Sequence, residues 1–203
     1  MAHSLPETFA PLLLRWYAAG HRDLPWRQDR EPYHIWLSEI MLQQTRVEAV
    51  RGYYARFLAE LPDIAALAAC EERRLTKLWE GLGYYSRVRN LQKAAQQIEA
   101  EHGGVFPQSY DEIRALPGVG DYTAGAIASI CFDAPTPAVD GNVLRVVSRI
   151  TGDERDITKP QVKTAGGEAL RAVMPVQAPG DFNQALMELG ATVCLPNGAP
   201  LCT

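Results

Sequence analysis

Two carboxylates and a glycine turn are the residues of this 203-residue chain whose types and settings could do chemistry. Glu39 sits in Ile35-Trp36-Leu37-Ser38-Glu39-Ile40-Met41-Leu42, a helical stretch that is apolar on most of its circumference. A carboxyl there is either at a solvated helix edge or partly removed from water. Desolvation favours the protonated form, which is what a general acid needs. Asp140 stands just before a helix that begins near Asn142. Aspartate in that place is ordinarily an N-cap. A capped aspartate is also held as an anion by the helix-terminal N–H groups, so a structural and a chemical role can coexist. Beside a sugar carbon, such an anion would stabilise an oxocarbenium-like transition state, or trap it as retaining glycosidases do.

The glycine turn is Leu116-Pro117-Gly118-Val119-Gly120, between helical stretches at 109–115 and 121–131. Gly118 and Gly120 permit a tight turn with positive φ. Successive N–H groups at the start of the next helix make an anion site, and phosphate is its commonest occupant. Val119 can pack back between the two helices. Taken alone, the pentapeptide is equally an ordinary helix–helix connection.

The elements that must position these groups are helices. Helical patterning covers 5–20, 32–44, 47–60, 63–69, 71–80 and 85–102, then the two arms of the turn, then 142–151, 160–173 and 181–194. On the first of these, Leu12, Leu13, Trp16 and Tyr17 share a face. Residues 21–31 read as a polar loop, and Ala134-Pro135-Thr136-Pro137 as a rigid connector. No alternating strand pattern of useful length appears, so an all-α protein is expected.

About half of the residues are apolar and about a fifth charged, which fits a globular protein. No apolar run approaches the ~20 residues that span a bilayer, so no membrane partner is expected. The first residues do not read as a secretion signal, and a cytoplasmic location is the expectation. The formal charge of −4 runs against nucleic-acid binding. Local charge matters more, and Arg46, Arg51 and Arg56 form one basic group, with Arg73, Arg74, Lys77, Arg87, Arg89 and Lys93 another.

The glycine turn, followed twenty residues after Gly120 by Asp140, resembles the helix–hairpin–helix DNA glycosylase superfamily that includes endonuclease III. Leu37–Thr45, with Gly81-Leu82-Gly83-Tyr84-Tyr85-Ser86-Arg87, resembles one branch of it, the adenine DNA glycosylases of the MutY family. The likeness runs from about Trp16 to Cys202. It implies two helical lobes with the active site in the cleft between them. One lobe is discontinuous, 1–28 with 136–203. The other spans 29–135 and holds the hairpin at 109–131. It implies a monomer acting on double-stranded DNA with an A:8-oxoguanine or A:G mispair.

Within that resemblance, Glu39 takes the place of the acid that protonates N7 of adenine, and Asp140 that of the anion beside C1′. Tyr122 replaces the lysine that forms a Schiff base in bifunctional relatives, so the backbone should stay uncut. Asn142 would bond near the sugar or orient Asp140. Gln43, Gln44, Leu82 and Tyr84 would fill the gap left by the flipped base and hold its opposite. Gly118, Val119 and Gly120 would bind the backbone. Trp26, Arg27 and Gln184 match positions that line the adenine pocket.

The family carries a [4Fe–4S] cluster in a Cys-x6-Cys-x2-Cys-x5-Cys motif. Cys194 and Cys202 fit its first two positions, with seven residues between them, and Thr203 is the last residue. Cys70 and Cys131 fall in the other lobe, so two of about four thiolates are missing. A catalytic domain cut within the cluster motif is expected, without an intact cluster and with a mobile segment after Gly190. Three alternatives remain open: a thymine-mismatch glycosylase of the same superfamily, which Glu39 with Gln43-Gln44 argues against; a bifunctional pyrimidine glycosylase, which Tyr122 argues against; and a cluster-less fragment that binds DNA without activity.

Overall fold

The structure, a computed structural model, describes residues 4–197 and 201. Among these, every regular element is helical: α1 Phe9–Gly20, α2 Pro32–Leu42, α3 Val47–Glu60, α4 Ile64–Ala69, α5 Glu72–Leu78, α6 Ser86–His102, α7 Tyr110–Ala115, α8 Asp121–Phe132, α9 Gly141–Thr151, α10 Pro160–Val173 and α11 Pro179–Thr192. A short 3-10 turn, Pro25–Arg27, lies between α1 and α2. The all-α expectation holds. The helices divide into two compact units, one of residues 23–123 and one of residues 4–22 with the chain from 124 onward.

In the first unit, α2 is the central rod. Every residue from Tyr33 to Met41 except His34 is buried. A helix apolar all round has no solvent face to present and must be covered by its neighbours. It packs on α3 and α6, while α4 lies along α6 and α5 on α3. Edge-to-face aromatic pairs, Trp36 on Phe106 and Phe57 on Trp79, fill the interior. The stretch before α2 is less loop-like than its polar composition predicts, because Leu24 and Trp26 are buried and Trp26 stands edge-on to Tyr54.

In the second unit, α1 and α9 pack on α11, and α10 on α9. Their core joins Leu13, Tyr17, Val143, Val146, Leu170, Phe182 and Leu186. The apolar face of α1 is narrower than expected. Leu13 and Tyr17 are one helical turn apart and buried, whereas Leu12 falls beside that line and is 51% exposed. Residues 124–135, including Cys131, group with this unit rather than with the hairpin. The reason is close backbone contact: a Cβ on Gly180 would lie 2.8 Å from the backbone of Ser129 and Ile130, and one on Gly125 would lie 2.8 Å from the carbonyl of Pro137.

Candidate active site and nucleic-acid interface

Glu39 is 7% exposed and belongs to the buried run of α2, among Ile35, Trp36, Ile40 and Met41. The alternative of a solvated edge glutamate therefore does not apply. A second buried group, Arg87, meets the end of the same helix from α6. α2 ends at Leu42, two residues before the expected Gln44, because the chain turns outward at residues 43–45. That turn and the one at residues 82–84 are joined by the side chain of Arg87, in the first turn of α6.

The guanidinium of Arg87 is buried and multiply bonded. Nη1 donates to the carbonyls of Ile40 (2.9 Å), Met41 (3.0 Å) and Gln43 (2.7 Å). Nη2 donates to Leu82 O (2.9 Å), Gly83 O (3.3 Å) and Thr45 Oγ1 (3.3 Å). The carbonyls of Ile40 and Met41 end α2 and would otherwise lack partners. The guanidinium carbon also lies 5.3 Å from the centre of the Trp79 ring and 5.7 Å from that of Tyr84. Burial lowers the Arg87 pKa from its ordinary value, though arginine starts so high that the charge survives.

Gln44 and Tyr84 follow directly on two of these anchored carbonyls. Both are left-handed, with φ 58° and 45°. For a residue with a side chain that conformation costs roughly 1–2 kcal/mol. Both are exposed, Tyr84 to 65%. Gln43 is half-buried and Leu82 buried. The structure thus brings together all four residues assigned to base holding. Gly81 supports the second turn at φ 100°, where a Cβ would lie 2.0 Å from the Tyr53 hydroxyl oxygen.

The hairpin is closed as expected by Val119, which is buried with Leu116. Gly118 takes φ 77° beside Asn90, while Gly120 stays outside the left-handed region. Ser109 and Glu112 form a capping box at the start of α7. Arg114 donates to Val119 O (3.0 Å) and Asp121 Oδ1 (2.6 Å), binding α7 to the start of α8. Tyr122, half-buried, is in the first turn of α8. Trp26 is buried and Arg27 half-buried in the 3-10 turn. The basic groups expected to face phosphate are partly occupied: Arg51, Arg74, Lys77 and Arg89 each lie beside a glutamate. Such exposed pairs are weak.

In the second unit, Asp140 caps α9. Its Oδ1 accepts from Val143 N (2.8 Å) and its Oδ2 from Asn142 Nδ2 (3.0 Å). Asn142 Oδ1 in turn accepts from Arg145 Nη1 (2.9 Å), and Arg145 donates onward to Gly190 O (2.8 Å) and Cys194 O (3.0 Å). Asn142 therefore orients Asp140, and Arg145 ties both to the end of α11. Asn183 steadies the approach from the other side. Its Oδ1 accepts from Ala138 N (3.1 Å), and its Nδ2 donates to Ser129 Oγ (2.7 Å) and Thr136 O (2.9 Å). Gln184, half-buried, lies 3.5 Å from the Tyr17 hydroxyl. At the end of α1, Glu188 accepts from Arg22 through both carboxylate oxygens, at 2.8 and 2.9 Å.

Sequence reasoning missed Arg87, Arg145 and Asn183. Arg87 counted as one of several basic residues and as the last residue of the Gly81–Arg87 motif, with no role of its own, and nothing local marks a buried amide.

Residues 37–172 match the description "HhH-GPD superfamily base excision DNA repair protein". The chain belongs to that superfamily. It is 47% identical to Adenine DNA glycosylase of Mus musculus over 96% of its length and 39% of the mouse protein's. It is 37% identical to Adenine DNA glycosylase of Buchnera aphidicola, over 96% of this chain and 56% of that protein. The chain thus spans from about two fifths to just over half of these relatives. A thermostable thymine-DNA glycosylase superposes with a TM-score of 0.85 at 27% identity, covering 97% of this chain and 90% of that one. A trapped endonuclease III–DNA covalent intermediate superposes at 0.77 with 22% identity, covering 96% and 90%, a likeness of fold.

The resemblance implies an iron–sulfur cluster near Cys194. Cys194 is buried, and its sulfur accepts from Arg149 Nη1 at 3.2 Å. Cys202 lies outside the described residues. Among those described, no group of three or more His, Cys, Asp or Glu side chains could hold a metal ion. The described residues therefore do not fit a four-thiolate cluster. Gly190, Cys194 and Leu195 are nonetheless hydrogen-bonded to α9, and residues 198–200 of the segment expected to be mobile lie outside the described residues. Arg149 also donates to Leu195 O (2.8 Å), and Arg145 holds Gly190 and Cys194.

Proposed function

We propose that this chain is a monofunctional DNA glycosylase that hydrolyses the N-glycosidic bond of adenine mispaired with 8-oxoguanine or guanine. The observation that carries the reading is 47% identity, over 96% of the chain, to a protein named Adenine DNA glycosylase. The chemistry assigned above is consistent with it. The target base must leave the duplex before its sugar bond can be reached. Gln43, Gln44, Leu82 and Tyr84 occupy the space it leaves and hold the opposite base. Gly118, Val119 and Gly120 meet the sugar–phosphate backbone. Trp26, Arg27 and Gln184 contact the adenine.

Glu39 then gives its proton to N7, so that adenine departs as a neutral base. Removing a carboxyl from water disfavours its anion, the condition a proton donor must meet. The electrons of the breaking C1′–N9 bond leave with the base, and positive charge grows on C1′ and the ring oxygen. Asp140, held by Val143 N and Asn142, supplies the compensating anion. Water adds to C1′, the proton it releases restores the Glu39 carboxyl, and an abasic site results. Tyr122 cannot form an imine, so the strand stays intact. No step passes through an iron–sulfur cluster.

A second reading rests on the 0.85 TM-score to a thymine-DNA glycosylase: removal of thymine opposed to guanine. One panel separates the two. Duplexes carrying A opposite 8-oxoguanine, A opposite G, T opposite G, or thymine glycol are incubated with the protein, and strand breaks are scored with and without alkali. Alkali-dependent breaks at adenine alone support the proposal. Breaks at thymine alone would replace it, and breaks without alkali would remove its monofunctional character.

A further inference from the structure

Gln44 and Tyr84 share an arrangement that chance turn geometry does not explain. The described residues include three non-glycine residues with positive φ, and these are two of them. Glycine is the usual choice for that backbone shape, and neighbouring Gly81 and Gly83 follow the rule with φ 100° and 70°. Positions 44 and 84 instead carry large exposed side chains in a conformation that disfavours them. Strain of this kind persists where surrounding structure over-determines it. Here one side chain does so for both. The peptide carbonyl that precedes Gln44 is Gln43 O, and the one that precedes Tyr84 is Gly83 O. Both accept from the Arg87 guanidinium, at 2.7 and 3.3 Å. Gly83 O is fixed a second time by Trp79 Nε1, at 3.0 Å. With each preceding peptide plane held inward, a positive φ turns the next side chain outward.

We propose that Arg87 is the positioning residue that sets opposite-base specificity, by locking the 43–45 and 82–84 turns to each other so that Gln44 and Tyr84 meet one base as a rigid pair. The inference rests on the functional reading given above for those two side chains. Arginine suits the task because its planar fork serves two turns at once. Lysine, a single point charge with rotatable donors, cannot hold both carbonyl sets in that geometry. Arg87 itself is buried and is not required to touch DNA.

The test is single-turnover adenine release by the full chain from duplexes with 8-oxoguanine, guanine or cytosine opposite the adenine. Rates are normalised to the active fraction from burst amplitudes. The expected result for Arg87→Lys is that the preference for 8-oxoguanine over cytosine falls by about tenfold or more, since small misplacements of contacting groups carry penalties of that order. A purely structural role would lower the active fraction or the thermal midpoint and scale all rates equally. An unchanged preference therefore overturns the proposal. In a Gln44→Ala, Tyr84→Ala background the same substitution should leave the remaining preference unchanged, because the groups it positions are gone. A further loss of equal size there would also overturn it. Should Arg87→Lys fail to fold, Thr45→Val removes the 3.3 Å bond to Nη2 together with the 3.4 Å bond that Thr45 Oγ1 donates to Gln43 O within the same turn. It is expected to reduce the preference about two- to fivefold, and no reduction counts against the proposal. A wild type that releases no adenine from any duplex overturns the functional reading and this inference with it. A discriminating wild type beside an equally discriminating Arg87→Lys overturns this inference alone.

Discussion

Asn183→Ala should be among the most damaging single truncations in the unit that carries Asp140. The amide is 1% exposed and makes three bonds to the chain around residues 129–138. Truncation leaves the buried N–H of Ala138 without an acceptor, which costs roughly 1–3 kcal/mol. The two lost donations, to Ser129 Oγ and Thr136 O, add about 0.5–1.5 kcal/mol each. Ser129 keeps its own bond to Ala126 O (3.1 Å), which limits its share. The sum is about 2–5 kcal/mol, a large part of a typical domain's stability. For a chain of this size that corresponds to a fall in thermal midpoint of about 5–15 °C. The loss should be local as well as global. The connector released by the truncation runs directly into Asp140, so amide exchange at Ala138 should accelerate. Urea denaturation and hydrogen exchange of wild type and variant make the comparison. A loss below about 1 kcal/mol, with unchanged exchange at Ala138, would refute the clamp.

Glu188→Ala strands the Arg22 guanidinium and should cost about 2–4 kcal/mol, less than a fully buried pair because Arg22 is partly exposed; urea midpoints check it, and Glu188→Gln should cost less. Tyr33 and Tyr54 have pKa values raised above the ordinary 10, first by burial and then by Asp63 and Asp29 respectively. An unfolded tyrosine ionises near pH 10 while these stay protonated in the fold. Stability is therefore complete below about pH 10 and drains as pH rises beyond it. Absorbance titration should show two of the eight tyrosines ionising late and together with unfolding, and a two-phase titration without unfolding would contradict this. Borohydride added during turnover should trap no protein–DNA adduct, since Tyr122 stands at the start of α8 where an amine would be needed; a borohydride-dependent adduct on a denaturing gel would exclude the monofunctional mechanism.

What could be read from the sequence depended on how local the determining interaction is. The central helix was legible because its residues are apolar all round, and the turn at Gly118 because proline fixes its own φ and glycine permits a positive one without help from distant residues. Asp140 as an N-cap was legible too, since the bond to Val143 N spans three residues. Arg87 was not. Its six acceptors include carbonyls up to 47 residues away, and an arginine at a helix start reads as a phosphate ligand until its surroundings are known. Asn183 reaches 45 residues back to Ala138, and Arg145 reaches 45 and 49 residues forward to Gly190 and Cys194. The Arg145 links also hold Gly190 and Cys194 at the end of α11. The burial of Leu24 and Trp26 was hidden for the opposite reason: two apolar side chains among charges give no periodic pattern.

The central claim is that Glu39 is the proton donor for departing adenine, and single-turnover kinetics of Glu39→Gln test it most directly. The substitution keeps the size of a side chain that is 7% exposed, so folding and duplex affinity should stay close to wild type. On a duplex with adenine opposite 8-oxoguanine, the wild type should release adenine and leave an alkali-labile site. The variant should bind that duplex within about threefold of wild type yet release adenine at least about a hundredfold more slowly. Release by the variant within about twofold of wild type, at equal binding, would remove Glu39 from the mechanism.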